Sequence, residues 1–159
     1  MNERYASRNS DMSNTLEFWH HHAGVSVPDL DASIGWYRDV LGFEVEKRFP
    51  IPSIPAEVAM LKSGPLHIEL FHVPDAKPLP EERRTPDTDV CTHGNKHVSF
   101  AVQDVRPFAE ELRRRGADIV WVREMAHGSN IFIRDNSGNL IEFVQEKKPL
   151  EISSILRIE

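Results

Sequence analysis

From Trp19 to Val27 the chain alternates, with Trp19, His21, Ala23, Val25 and Val27 on one side and His20, His22, Gly24 and Ser26 on the other. A two-residue period predicts a strand with one covered face and one polar face. Pro28-Asp29-Leu30-Asp31 then supplies a turn and a helix N-cap. Ile34, Tyr37, Val40 and Leu41 follow at helical spacing until Gly42 stops the helix. Strands are predicted over 43–49, 57–62 and 66–73, broken by Pro50, Pro52 and Pro55 and hinged at Gly64-Pro65. The order is βαβββ.

Residues 74–95, rich in Pro, Thr and charge, read as a long connecting loop, a length that hints at a lid or an interface. The pattern then restarts. A strand is predicted over 96–102, a helix from Asp104 through Phe108 and Leu112 to Gly116, and strands over 117–125, 130–134 and 139–145. Asp135-Asn136-Ser137-Gly138 forms the turn between the last two. The repetition is visible in the residues themselves: His22-Ala-Gly-Val-Ser-Val-Pro-Asp-Leu30 recurs as His97-Val-Ser-Phe-Ala-Val-Gln-Asp-Val105. The organisation expected is a mobile leader at 1–16 and one domain over 17–146, followed by a C-terminal extension at 147–159. Within the domain, module 1 spans 17–73, the linker 74–95 and module 2 96–146. Ile152, Ile155, Leu156 and Ile158 in the extension belong to neither repeat and suggest packing on a neighbouring subunit, hence a homodimer.

Composition narrows the partners. A net charge of −6, with Arg113-Arg114-Arg115 the only basic run, argues against nucleic acid and anionic membranes. No stretch has the length of a signal peptide or a membrane span. Cys91 is alone, so a reducing cytoplasm is the expected compartment and Cys91 itself a bystander.

The chemistry lies in two matched pairs. His22 and His97 take the polar side of equivalent strands, and each is followed, 47 and 45 residues on, by a Glu inside an apolar run: Glu69 in Ile-Glu-Leu-Phe and Glu142 in Ile-Glu-Phe-Val. A carboxylate among apolar strand residues is costly unless it is paired or metal-bound. Two pairs at near-equal spacing point to one divalent metal site built from two halves. His20 shares the face of His22, while His21 should point the other way. Met60, Phe71, Trp121 and Phe132 are candidates to line the cavity.

The paired βαβββ pattern, the helix with Trp36-Tyr-Arg-Asp-Val-Leu-Gly-Phe43, and Phe132-Ile-Arg-Asp-Asn-Ser-Gly-Asn-Leu-Ile-Glu142 resemble the vicinal oxygen chelate superfamily over about residues 19–146. This is the fold of glyoxalase I, methylmalonyl-CoA epimerase, extradiol dioxygenases and bleomycin-resistance proteins. The resemblance implies an α+β fold in which two paired βαβββ modules form a concave mixed sheet. It also implies that His22, Glu69, His97 and Glu142 bind one divalent ion, with Ni, Co, Mn, Zn and Fe all compatible.

Such a site can chelate an α-oxygenated carbonyl and stabilise an enediolate, and the resemblance to glyoxalase I implies that a displaced ligand, Glu142 or Glu69, acts as base. The leading expectation is therefore proton abstraction beside the carbonyl of a small substrate, by a glyoxalase I-like lyase or a methylmalonyl-CoA-epimerase-like isomerase. In the epimerases a second Glu serves as the opposite base, and by position it would be Glu57. A ring-cleaving extradiol dioxygenase is the alternative. Against it stand the fourth ligand, Phe132 where those enzymes usually place a Tyr, and no His at the upstream acid-base position. A small-molecule sequestering protein of the bleomycin-resistance kind is the other alternative, and retention of four ligands favours catalysis over it.

Overall fold

The computed structural model describes residues 16–124 and 128–147. The expected leader and C-terminal extension lie almost wholly outside the described residues. Two βαβββ modules are present: β1 (Ala23–Ser26), α1 (Leu30–Leu41), β2 (Glu44–Ile51), β3 (Ala56–Ser63) and β4 (Leu66–His72), then β5 (Val98–Val102), α3 (Val105–Arg114), β6 (Asp118–Arg123), β7 (Asn130–Arg134) and β8 (Leu140–Gln145). Each module forms a four-stranded mixed sheet, ordered β1-β4-β3-β2 and β5-β8-β7-β6, whose first strand runs parallel to its last. The class is α+β, as expected.

Local chemistry sets the helix ends. The Asp29 carboxylate accepts the Ala32 N–H and the Asp104 carboxylate the Arg106 N–H, each satisfying a donor that the first helical turn leaves free. Gly42 closes α1 at φ 73°, a left-handed conformation that a side chain would disfavour.

Both modules turn their helix-covered faces to one core. Ala59, Leu61, Ile68 and Leu70 of the first sheet and Ile131, Ile133, Ile141 and Phe143 of the second join buried residues of α1 and α3 in a single cluster. Asp135, buried in the β7–β8 turn, ties the modules together. Its carboxylate accepts the backbone N–H groups of Ser137 and Asn139 (2.8 and 2.9 Å), the Asn139 side-chain amide (2.9 Å) and the Tyr37 hydroxyl from α1 (3.2 Å). Burial, and secondarily Asp135, raises the Tyr37 phenol well above its usual pKa.

Two expectations need correction. The strand predicted over 19–27 is present only as Ala23–Ser26, and Trp19 is 82% exposed, because alternation alone forms no ladder without a partner strand. The 74–95 connection is more structured than a loop. It carries a 3₁₀ turn (Glu81–Arg84) and a one-turn helix, α2 (Pro86–Asp89). Asp89, 1% exposed, accepts Arg83 Nε at 2.8 Å and faces Lys96 Nζ at 3.5 Å. Arg134 Nε donates to the Arg84 carbonyl and Arg123 pairs with Asp87, so this segment is fastened to module 2.

Candidate metal centre

Strand register decides which side chains share the polar face. On β4, Ile68 and Leu70 enter the core, so Glu69 points away from it, and its Cα partners are Gly24 on β1 and Met60 on β3. On β8, Ile141 and Phe143 enter the core, so Glu142 points away, opposite Ser99 on β5 and Phe132 on β7. Directly paired residues put their side chains on one side of a sheet. The face of Glu69 therefore carries Met60 and Phe71, and that of Glu142 carries Phe132 and Trp121. The four apolar candidates all lie on the two polar faces.

Each His meets its Glu. His22 Nε2 lies 3.0 Å from Glu69 Oε2 and His97 Nε2 lies 3.1 Å from Glu142 Oε2, with all four side chains partly shielded from solvent. Gly24 helps in the first half: a Cβ there would come within 3.1 Å of Phe71 Cε2, so its absence leaves room for that ring. In the second half the His97 ring stands edge-on to Phe132, with centroids 4.9 Å apart. The donor set, two imidazole nitrogens and two carboxylates, suits a divalent cation. Among the described residues, however, no three such groups gather around one point, so the pairs stand as two separate halves. His22 and His97 both border a cavity of about 430 Å³ at the seam between β1 and β5, shared with Tyr37, Arg83 and Lys96.

Glu57 is elsewhere. It is the Cα partner of His72 and shares the parity of Ala59 and Leu61, so it lies on the side of the sheet opposite Glu69. It borders a different cavity with Asp29, Asp31 and His72, and its nearest cation is Arg48 at 3.7 Å. His21, not His20, is the neighbour of His22, with Nδ1 atoms 2.6 Å apart, because this stretch is not a strand and does not alternate.

A residue the motifs did not single out joins the second half. Asn130 Nδ2 donates to Glu142 Oε1 at 2.8 Å, and Trp121 Nε1 donates to Asn130 Oδ1 at 3.3 Å. A polar residue opening a strand next to an Asn/Ser/Gly-rich region reads as a turn end; two-residue parity with Phe132 was the signal that could have placed it.

The comparisons agree with this fold. The Enterococcus faecalis glyoxalase family protein superposes with a TM-score of 0.67 at 22% identity, over 80% of this chain and 97% of its own, which supports the fold. Mitochondrial methylmalonyl-CoA epimerase of Bos taurus is 36% identical over 133 residues, 79% of this chain and 73% of its own. Lactoylglutathione lyase of Neisseria meningitidis (serogroup A) is 29% identical over 137 residues, covering 79% and 89%. With the profile of the Glyoxalase/Bleomycin resistance protein/Dioxygenase superfamily matching residues 19–143, the chain belongs to that superfamily.

Proposed function

We propose that the protein is a divalent-metal-dependent enzyme that removes a proton alpha to the carbonyl of a small substrate, in the manner of a lyase or isomerase. The reading rests on the two His–Glu pairs at equivalent register positions on the polar faces, 3.0 and 3.1 Å within each pair. His22, Glu69, His97 and Glu142 would hold the ion together. Two copies of the chain associating over the polar faces and the unpaired strand edges would form the homodimer. When bound, the ion supplies a Lewis acid that makes the C–H beside a chelated carbonyl more acidic.

The chain's own residues do the rest. Met60, Phe71, Phe132 and Trp121 wall the polar faces with apolar surface, which excludes water from a reactive carbanionic species. A carboxylate oxygen takes the proton as the C–H bond breaks, the electron pair passes onto the carbonyl oxygen, and the carboxylic acid returns the proton to carbon. Return to the neighbouring carbon, with the hydroxyl proton passing between the two substrate oxygens, would isomerise the substrate; for epimerisation one of Glu69 and Glu142 would take the proton from one face and the other, protonated, would deliver a proton to the opposite face. Glu57, on the far side of the sheet, has no part in this reading.

The test is incubation of metal-loaded protein in D₂O with the methylglyoxal–glutathione hemithioacetal, methylmalonyl-CoA and catechols, beside an oxygen electrode. Carbon-bound deuterium without oxygen uptake is expected. Oxygen uptake with catechols would move the assignment to ring cleavage, and silence in both channels with tight binding of an aromatic compound would move it to sequestration. His97→Ala and Glu142→Ala should each lose stoichiometric metal while keeping the far-UV circular dichroism of the parent.

A further inference from the structure

The two carboxylates are not equivalent. Glu142 has both oxygens engaged, Oε2 with His97 and Oε1 with the Asn130 amide. An indole N–H can only donate, so Trp121 turns the amide oxygen of Asn130 toward itself and leaves the NH₂ facing Glu142. Trp121 is held in turn, with the Arg123 guanidinium 3.5 Å over its ring and Asp87 on that guanidinium at 3.2 Å.

The first module lacks every part of this brace. Both modules carry the same register irregularity, between Val45 and Lys47 and between Ile119 and Trp121, so their positions correspond. Met60 faces Glu69 as Phe132 faces Glu142, and Val58 stands two residues before Met60, where Asn130 stands before Phe132. Lys47 takes the place of Trp121. Neither Gly24 nor Met60, the strand partners of Glu69, offers a donor side chain, and His22 is its side-chain partner among the described residues.

We infer that Asn130 is a positioning residue that fixes the Glu142 carboxylate in the orientation from which it would hold the ion, a brace that the Glu69 carboxylate lacks. This rests on the metal-site reading above. A carboxylate with two fixed partners stays in one rotamer, whereas Glu69 has His22 as its partner among the described residues and no amide to hold its other oxygen.

The experiment is calorimetric titration of Co²⁺ into the metal-free full-length protein and its variants, with melting midpoints as the folding control. Asn130→Val should weaken Co²⁺ by about 10–100-fold, the usual cost of losing a group that orients a ligand. Trp121→Phe, which keeps Asn130 but frees its orientation, should cost less than Asn130→Val. Glu142→Gln should weaken Co²⁺ at least tenfold more than Glu69→Gln. Co²⁺ affinity within twofold of the parent for Asn130→Val, or equal losses for the two Glu→Gln variants, would overturn the inference. The metal reading fails separately: His97→Ala and Glu142→Ala binding Co²⁺ like the parent would remove it, and the role of Asn130 with it.

Discussion

Tyr37→Phe removes one hydroxyl from the junction of the two modules and nothing else. The ring is fully buried, so its packing survives. Asp135 keeps three donors, and the lost bond is the longest of the four at 3.2 Å. A hydrogen bond to a charged group is worth about 1.5–3 kcal/mol, and with no partner orphaned the loss belongs at the lower end, about 1–2 kcal/mol. With a urea m-value of about 2 kcal/mol/M, the middle of the range for small proteins, the midpoint should fall by roughly 0.5–1 M at unchanged m. The melting temperature should drop by about 3–6 °C. Alkaline pH provides a second axis. Burial and Asp135 raise the folded-state phenol above its unfolded value near 10, so its contribution is complete below that pH and is lost as pH rises toward the folded value. The gap between parent and variant should therefore narrow above about pH 10. A midpoint shift under about 0.2 M, or a gap that widens with alkali, would refute the reasoning.

Asp89→Ala strands Arg83 and Lys96 beside a buried void. Both cations keep partial solvent access, which discounts the loss to about 1–3 kcal/mol, and the 74–95 segment should become the first site cut in limited proteolysis. Glu111, gripped by Arg114 and then Arg115, has its carboxyl lowered to about 2. A carbon-detected NMR titration should place it there. Its favourable interaction, present above the unfolded value of about 4.3, is lost only as pH falls through the folded one.

Much of this was legible beforehand because one-sided burial writes a readable period. Glu69 and Glu142 interrupt apolar runs, and the apolar residues on either side, Ile68 and Leu70, Ile141 and Phe143, assign each carboxylate the opposite face. Asp29, Gly42 and Asp104 mark helix ends by side-chain chemistry alone. Glu57 was misplaced because β3 is buried on both faces: Ala56, Val58 and Met60 on one, Ala59 and Leu61 on the other, so hydrophobicity carries no parity there. Only the pairing of Met60 with Glu69 reveals that Glu57 falls on the wrong side. The linker's fastening was hidden for another reason. A four-residue helix has no period to read, and Asp89 looks like any surface acid until Arg83 and Lys96 close over it. Asn130 required knowing which diagonal neighbour an indole would leave for the carboxylate.

That fastening shortens the tether between the modules. From Arg83 onward the connection is tied down, by Arg83 and Lys96 to Asp89, by Asp87 to Arg123 and by the Arg84 carbonyl to Arg134. Only residues 74–82 remain as slack, a reach of at most about 30 Å when fully drawn out. Whatever copy of module 1 lends its His22–Glu69 pair to a given His97–Glu142 pair, an exchange of modules between chains has to be accomplished on that short leash.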